Sequence, residues 1–85
     1  MSEHFDRCTK VLTKVGKAFM RVAWEEWCAA RDDFSINITR SRYNRMKLAG
    51  EEVVKVQDAL GVWLIHPVNA KPGLAESDER IVDDE

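Results

Sequence analysis

Few residues of this 85-residue sequence combine the side-chain type and the spacing that chemistry requires. His4 and Cys8 are four positions apart, so a helix would place them on one face, where they could offer two ligands to a metal ion. A structural zinc site needs four ligands, and the remaining candidates, Cys28 and His66, are far away along the chain. The sequence therefore predicts no metal site and no cofactor.

The acidic residues offer no catalytic arrangement either. Glu26 falls on the apolar side of a predicted helix, where a carboxylate is costly unless a positive charge pairs with it. Arg42 or Arg45 could supply that charge only if two helices meet in the right register. The sequence contains no phosphate-binding glycine loop and no nucleophile elbow. We therefore expect Glu26 to have a structural role, no catalytic residues, and a protein that is not an enzyme.

The elements that must position these side chains are helices. From residue 2 to about residue 31 there is no proline and only one glycine, and apolar residues recur at spacings of three and four, as in a heptad seam. We predict one unbroken helix here, about 43 Å long. Its predicted seam consists of Phe5, Cys8, Leu12, Val15, Phe19 and Val22.

A second helix is predicted after a short connector. Residues 34–39 alternate between apolar and polar side chains, which indicates an extended segment or a short strand. The helical pattern then begins at about Thr39 or Ser41 and again shows spacings of three and four. The second predicted seam consists of Met46, Ala49, Val53, Val56, Leu60 and Trp63.

The end of the second helix has two interpretations. Gly61 could end it in a left-handed conformation, with residues 62–68 continuing as a strand beside the connector. Alternatively, the helix could continue until Pro67 stops it, because proline cannot donate the next backbone hydrogen bond. We favour the longer helix.

Two helices with matching seams and a short connection predict an all-α fold, a long antiparallel helical hairpin with coiled-coil packing. Residues 1–68 form the predicted hairpin domain, and residues 69–85, which are rich in Glu and Asp, form an acidic tail that we expect to be mobile. A lone hairpin buries little apolar surface. We therefore expect a homodimer in which two hairpins form a four-helix bundle, or one hairpin docked on a partner.

The formal net charge of −2 hides an uneven distribution. Residues 1–48 hold ten Lys and Arg against six Asp and Glu, whereas residues 49–85 hold three against nine. Five early positive charges would form a basic stripe along the outer face of the first helix, able to contact phosphates or a carboxylate-rich protein. An ordinary solvated helix face is the alternative. The basic stripe consists of Arg7, Lys10, Lys14, Lys17 and Arg21.

Three large side chains lie beside the basic stripe and point away from the predicted seam. Tryptophan is enriched at protein interfaces because it buries a large rigid area and keeps one hydrogen-bond donor. We predict that these side chains anchor a protein partner and that the stripe guides it. The alternative is that they cover a second hairpin in a dimer or fold back over the connector that contains Phe34. The predicted partner-binding residues are Met20, Trp24, Trp27, Lys10, Lys14, Lys17 and Arg21.

The predicted start of the second helix is also basic, and its positive charges add to the partial positive charge of a helix N-terminus. Arginines around Tyr43 could contact an RNA or DNA backbone while the ring stacks on a base. No helix-turn-helix, zinc-finger or RNA-binding sheet pattern accompanies them. The predicted nucleic-acid contacts are Arg7, Arg40, Arg42, Arg45 and Lys47.

These observations favour a cytoplasmic binding protein. No secretory signal is visible, the longest apolar run is too short to span a membrane, and the two cysteines are too far apart on one helix to bridge. We expect a helical accessory protein that binds and modulates or inhibits a larger cytosolic protein, such as one that handles nucleic acid. Inhibitors and adaptors from phages and mobile elements share this style, without a family match. The alternative is a regulatory protein that binds nucleic acid through its basic helix face.

Overall fold

The computed structural model describes residues 3–67, residue 70 and residues 79–83. α2 and α3 pack against each other as an antiparallel pair, with the start of α2 beside the end of α3. The predicted all-α helical hairpin is therefore confirmed, and the described residues contain no β-strand. The helices are α1 (Glu3–Cys8), α2 (Lys14–Ile36) and α3 (Arg40–Leu60).

The predicted unbroken first helix is wrong, because the chain turns between α1 and α2. Thr9 is buried at the start of the turn, and its hydroxyl donates a hydrogen bond to the Phe5 carbonyl oxygen at 2.7 Å. Thr13 caps the start of α2, where its side-chain oxygen accepts a hydrogen bond from the Gly16 N–H at 3.1 Å. The Thr13 hydroxyl thereby satisfies a backbone N–H that a continuous helix would pair with the Leu12 carbonyl, and α1 folds back over α2.

The side of α2 that faces the core also differs from the prediction. Val15, Phe19 and Val22, which belong to the predicted seam, are 79%, 62% and 72% exposed. The buried line lies about 90° away around the helix, at 100° per residue, and has the same spacings of three and four residues. Periodicity alone therefore could not choose between the two lines. The buried line consists of Met20, Ala23, Trp27, Ala30 and Phe34.

The predicted seam of α3 is confirmed along most of its length. Tyr43 extends it by one turn, and its ring packs edge-on against Phe34 with 5.9 Å between the ring centroids. Leu60 is partly buried, whereas Trp63, the last residue of the predicted seam, lies beyond the helix and is exposed. The buried apolar residues of the predicted seam are Met46, Ala49, Val53 and Val56.

α3 ends at Leu60, so the favoured prediction of a helix that continues to Pro67 is wrong. Gly61 has a φ of 74°, in the left-handed region that favours glycine, and its N–H donates a hydrogen bond to the Gln57 carbonyl oxygen. The other interpretation is correct about Gly61 and wrong about a strand, because residues 62–66 are irregular.

Segments before and after the hairpin cover one of its sides. α1 places Phe5 against Trp24, with 6.5 Å between the ring centroids. After α3, Val62 and Leu64 are buried, and the side-chain oxygen of the buried Gln57 accepts a hydrogen bond from the Leu64 N–H at 3.1 Å. The core therefore lies between the hairpin and these two covering segments.

The described residues of the predicted acidic tail also contact the hairpin. The Trp27 indole N–H donates a hydrogen bond to the Ala70 carbonyl oxygen at 3.1 Å. Ile81 is buried, and the Val82 N–H donates to the Ile38 carbonyl oxygen at 2.9 Å in the connector. The rest of the predicted tail lies outside the described residues, and the predicted domain boundary at residue 68 stays a prediction.

The close approach of Ala70 to α3 requires glycine at position 50. A methyl group on Gly50 would lie 1.9 Å from the Ala70 carbonyl oxygen, so the backbone that accepts the Trp27 hydrogen bond would have to move. We expect Gly50→Ala to lower the free energy of unfolding by about 1 to 3 kcal/mol in urea titrations.

Gly16→Ala is the matched control on the other helix. Its nearest neighbour would be the Thr13 hydroxyl oxygen at 3.3 Å, and alanine is the better helix former, so stability should stay within about 1 kcal/mol of the wild type. Equal stability of the two alanine variants would contradict the placement of Ala70 against α3.

Candidate functional site

Among the described residues, one side of the hairpin stays exposed. On α2, the exposed side chains of Val15, Phe19 and Val22 lie nearly opposite Trp24, which contacts α1. The neighbouring side of α3 supplies a mixture of apolar and charged residues. We call this surface the open face. Its exposed residues are Val15, Phe19, Val22, Leu48, Glu52, Lys55 and Ala59, and the partly buried Leu60 and the buried Val56 line its hollows.

The open face has both a ridge and hollows. A groove of about 520 Å³ runs between the two helices and is bordered by Phe19 on α2 and by Ala59 and Leu60 on α3. A second hollow of about 430 Å³ lies next to it, bordered by Phe19, Val22 and Val56. The Phe19 ring borders both hollows and is the largest exposed side chain between them. The surface can therefore take up an apolar side chain and can also insert one.

The α3 edge of the open face carries one negative and one positive side chain. Glu52 and Lys55 border the groove three residues apart, and neither forms an ion pair within the described part of the chain. Leu48 and Ala59 flank this pair, each four residues away, and are exposed. The edge thus places an apolar residue at each end and opposite charges in the middle.

The predicted partner anchors lie elsewhere, and two of them are inside the core. Met20 is 0% exposed and Trp27 is 4% exposed, so the expectation that they are free for a partner is wrong. Trp24 is partly buried, with its ring centroid 5.4 Å from that of Trp27 and 6.0 Å from that of His4. These side chains pack inside the monomer, where Trp24 contacts Phe5 of α1 and Trp27 donates to Ala70.

The predicted basic stripe does not form one continuous row. Arg7 lies in α1 and Lys10 lies in the turn after it, so neither shares a helix with Lys14. Lys17 pairs with Asp6 of α1 at 3.7 Å, and the partly buried Arg21 places its guanidinium 5.3 Å from the centroid of the Phe5 ring. The stripe was predicted from a straight helix, and the turn at residues 9–13 divides it.

The basic start of α3 makes contacts within the chain. Arg40 pairs with Asp83 at 3.4 Å and lies 5.9 Å from the Tyr43 ring centroid. The Arg42 side chain donates a hydrogen bond to the Thr39 hydroxyl oxygen at 3.3 Å. Lys47 is partly buried, and Arg45 belongs to an ion-pair cluster with α2. These contacts reduce the positive charge that this end of the hairpin offers to a phosphate.

The Glu26 carboxylate has the partner that the sequence suggested for it. Arg45 donates two hydrogen bonds to Glu26, at 3.0 and 3.2 Å, and a third to Asp33. The hydrogen bonds from Arg45 hold the pKa of Glu26 below its usual range, and the two carboxylates raise the pKa of Arg45. The cluster joins α2 to α3 and fixes their register, which is a structural role.

The cysteine and histidine side chains do not assemble a reactive centre. Cys8 Sγ lies 3.8 Å from His4 Nδ1, while His4 Nε2 donates a hydrogen bond to the Leu64 carbonyl oxygen. Partial burial raises the pKa of the Cys28 thiol, which disfavours the nucleophilic thiolate. Within the described residues, no three His, Cys, Asp or Glu side chains are arranged to hold a metal ion.

Comparison of the sequence with protein-family models, with curated proteins and with solved structures finds no match. In the part of the chain that the structure describes, no helix is both long and apolar enough to cross a bilayer. The open face is therefore interpreted from its own geometry and chemistry.

The pKa of Glu26 predicts how stability depends on pH. Because folding lowers this pKa, the carboxylate stabilises the fold above its ordinary pKa, and the contribution disappears as the pH falls through the lower folded-state pKa. We expect Glu26→Gln to destabilise the protein slightly at pH 7, on the scale of an exposed ion pair, and to have no effect in strong acid.

Glu25→Gln provides the control for that measurement. Glu25 is exposed and forms no ion pair among the described residues, so its replacement should leave the pH dependence unchanged. Unfolding in urea across the acid range compares the variants. If Glu26→Gln and Glu25→Gln gave the same pH profile, the ion pair with Arg45 would not hold in solution.

Proposed function

We propose that this chain is a non-enzymatic helical accessory protein that associates with other polypeptides through its open face and thereby modulates a larger cytosolic protein. The observation that carries the proposal is the exposure of Val15, Phe19 and Val22 side by side on α2. Contiguous exposed apolar surface beside polar residues is typical of protein-protein contact sites. The predicted homodimer would use the same side chains as any other protein partner.

The burial of Phe19 would contribute most to the association. Its ring is 62% exposed and stands between two hollows, so a partner could enclose it from both sides. Fully burying one large apolar side chain contributes roughly 1.5 to 3 kcal/mol. Aromatic side chains enclosed in this way often dominate the energetics of an interface.

The alternative of direct nucleic-acid binding has less support. Arg40, Arg45 and Lys17, three of its proposed contacts or guides, form ion pairs with acidic residues of the same chain. Phosphate contacts would have to compete with those carboxylates. A cytoplasmic location remains part of the proposal and is supported by two free cysteines, Cys8 and Cys28.

Affinity capture from nuclease-treated cell lysate tests the proposal. We expect the wild-type chain to retain a protein and Phe19→Lys to lose it, because a lysine at the centre of the face would leave a buried charge. Ile36→Lys is the matched control, since Ile36 is 77% exposed on the same helix but outside the open face. It should retain the same protein.

Two results would contradict the proposal. Retention of the same protein by Phe19→Lys would show that binding uses another surface. Loss of all captured material after nuclease treatment would favour the nucleic-acid alternative. Circular dichroism of each variant establishes that the helices remain folded.

A further inference from the structure

We infer that the polypeptide bound by the open face is a second copy of this chain, packed antiparallel so that α3 lies against α3 and Glu52 of each copy pairs with Lys55 of the other. The inference rests on the proposed function, because it names the occupant of the same surface. It specifies a two-fold symmetric four-helix bundle with a defined register.

The size of the open face suits a small, reversible dimer interface. The face runs along α3 from Leu48 to Leu60 and along α2 from Val15 to Val22. At 1.5 Å per residue and about 10 Å per helix, it measures about 20 by 20 Å, or roughly 400 Å² per copy. Interfaces that bury less than about 600 Å² per partner belong to weak, transient associations. We therefore expect a dimer that dissociates at micromolar concentrations.

The α3 edge has the symmetry that self-association requires. In a two-fold interface every contact occurs twice. If one residue of the first copy contacts a different residue of the second copy, the same two residues also meet with the copies exchanged. The midpoint between Glu52 and Lys55 is also the midpoint between Leu48 and Ala59. If the two α3 helices cross antiparallel at that point, Glu52 of each copy lies opposite Lys55 of the other. Leu48 of each copy likewise lies opposite Ala59 of the other. Two opposite charges and two exposed apolar residues thereby gain partners simultaneously.

The same crossing point falls in the apolar part of α2. A methyl group at Gly16 would lie 3.7 Å from Leu60, and one at Gly50 would lie 3.3 Å from the Trp27 indole nitrogen. Counting along the antiparallel helices from these two contacts places Val22 and the buried Ala23 level with the midpoint between Glu52 and Lys55. Val22 is 72% exposed and borders one of the hollows. It would therefore meet its own counterpart close to the two-fold axis.

The shape of the face is also self-complementary. A symmetric interface presents the same surface twice, so each ridge must find a hollow on an identical surface. Leu48 provides the ridge, and the groove beside Ala59 and Leu60, which Leu48 of the other copy faces in this register, provides the hollow. A face with ridges alone would leave gaps when paired with itself.

Analytical ultracentrifugation of the full chain, from low to high micromolar concentrations, provides the first test. We expect a reversible dimer for the wild type. Val22→Lys should raise the dissociation constant at least about 30-fold, because two lysines would be buried side by side at the axis. Ile36→Lys, which places the same charge on an equally exposed site outside the open face, should change it less than about threefold.

Charge exchange on α3 provides the second test, at exposed positions that should not affect folding. We expect Glu52→Lys and Lys55→Glu each to weaken the dimer about 3- to 10-fold, since each creates two like-charge contacts. The double variant, with both charges exchanged, should recover the wild-type dissociation constant within about threefold. Such recovery is not expected for a foreign partner with fixed charges of its own.

The outcomes separate this inference from the proposed function. A wild-type chain that stays monomeric at every concentration would overturn the inference, while Phe19-dependent capture of another protein would still support the proposed function. A dimer that is insensitive to Val22→Lys, or a double charge variant that fails to recover, would also overturn it. Absence of both a dimer and a captured protein would overturn both.

Discussion

The rotation of α2 about its own axis is the constraint on which the rest of the structure depends. Trp27 is buried where the hairpin meets Ala70, and its indole N–H donates to the Ala70 carbonyl oxygen. A buried indole needs such an acceptor, and the absence of a side chain on Gly50 makes room for it. Because Trp27 is held in this orientation, Met20 on the same line faces the core, whereas Phe19 faces solvent.

The turn between α1 and α2 also helps to make the two sides of the hairpin different. In a continuous helix, Phe5 and Cys8 would extend the apolar line of Val15 and Phe19 toward the N-terminus. The turn carries them instead to the side of Trp24, where Phe5 becomes fully buried. One side of a small hairpin is thereby covered by its own chain. The other side keeps its apolar residues exposed.

The sequence predicts correctly those parts of the structure for which its apolar pattern allows only one arrangement. The apolar residues of α3 form one line, so its buried side could be identified, and Arg45 is correctly positioned to neutralise Glu26. α2 has two apolar lines of equal period, and the choice between them depends on a hydrogen bond from Trp27 to a residue 43 positions away. Local pattern contains no such information, so the sequence alone places Val15, Phe19 and Val22 in the core and Met20 and Trp27 on the surface.

The two components of the open face have different consequences for recognition. In the proposed association the apolar ridge around Phe19 would supply most of the binding energy, but an apolar stripe by itself accepts many surfaces. The formal net charge of −2 provides little general repulsion between copies or from other proteins. In the proposed association Glu52 and Lys55 would therefore determine selectivity, because a partner would have to present a positive charge to one and a negative charge to the other at matching spacing. A partner that lacks this arrangement would leave both charges unpaired at the edge of a desolvated surface.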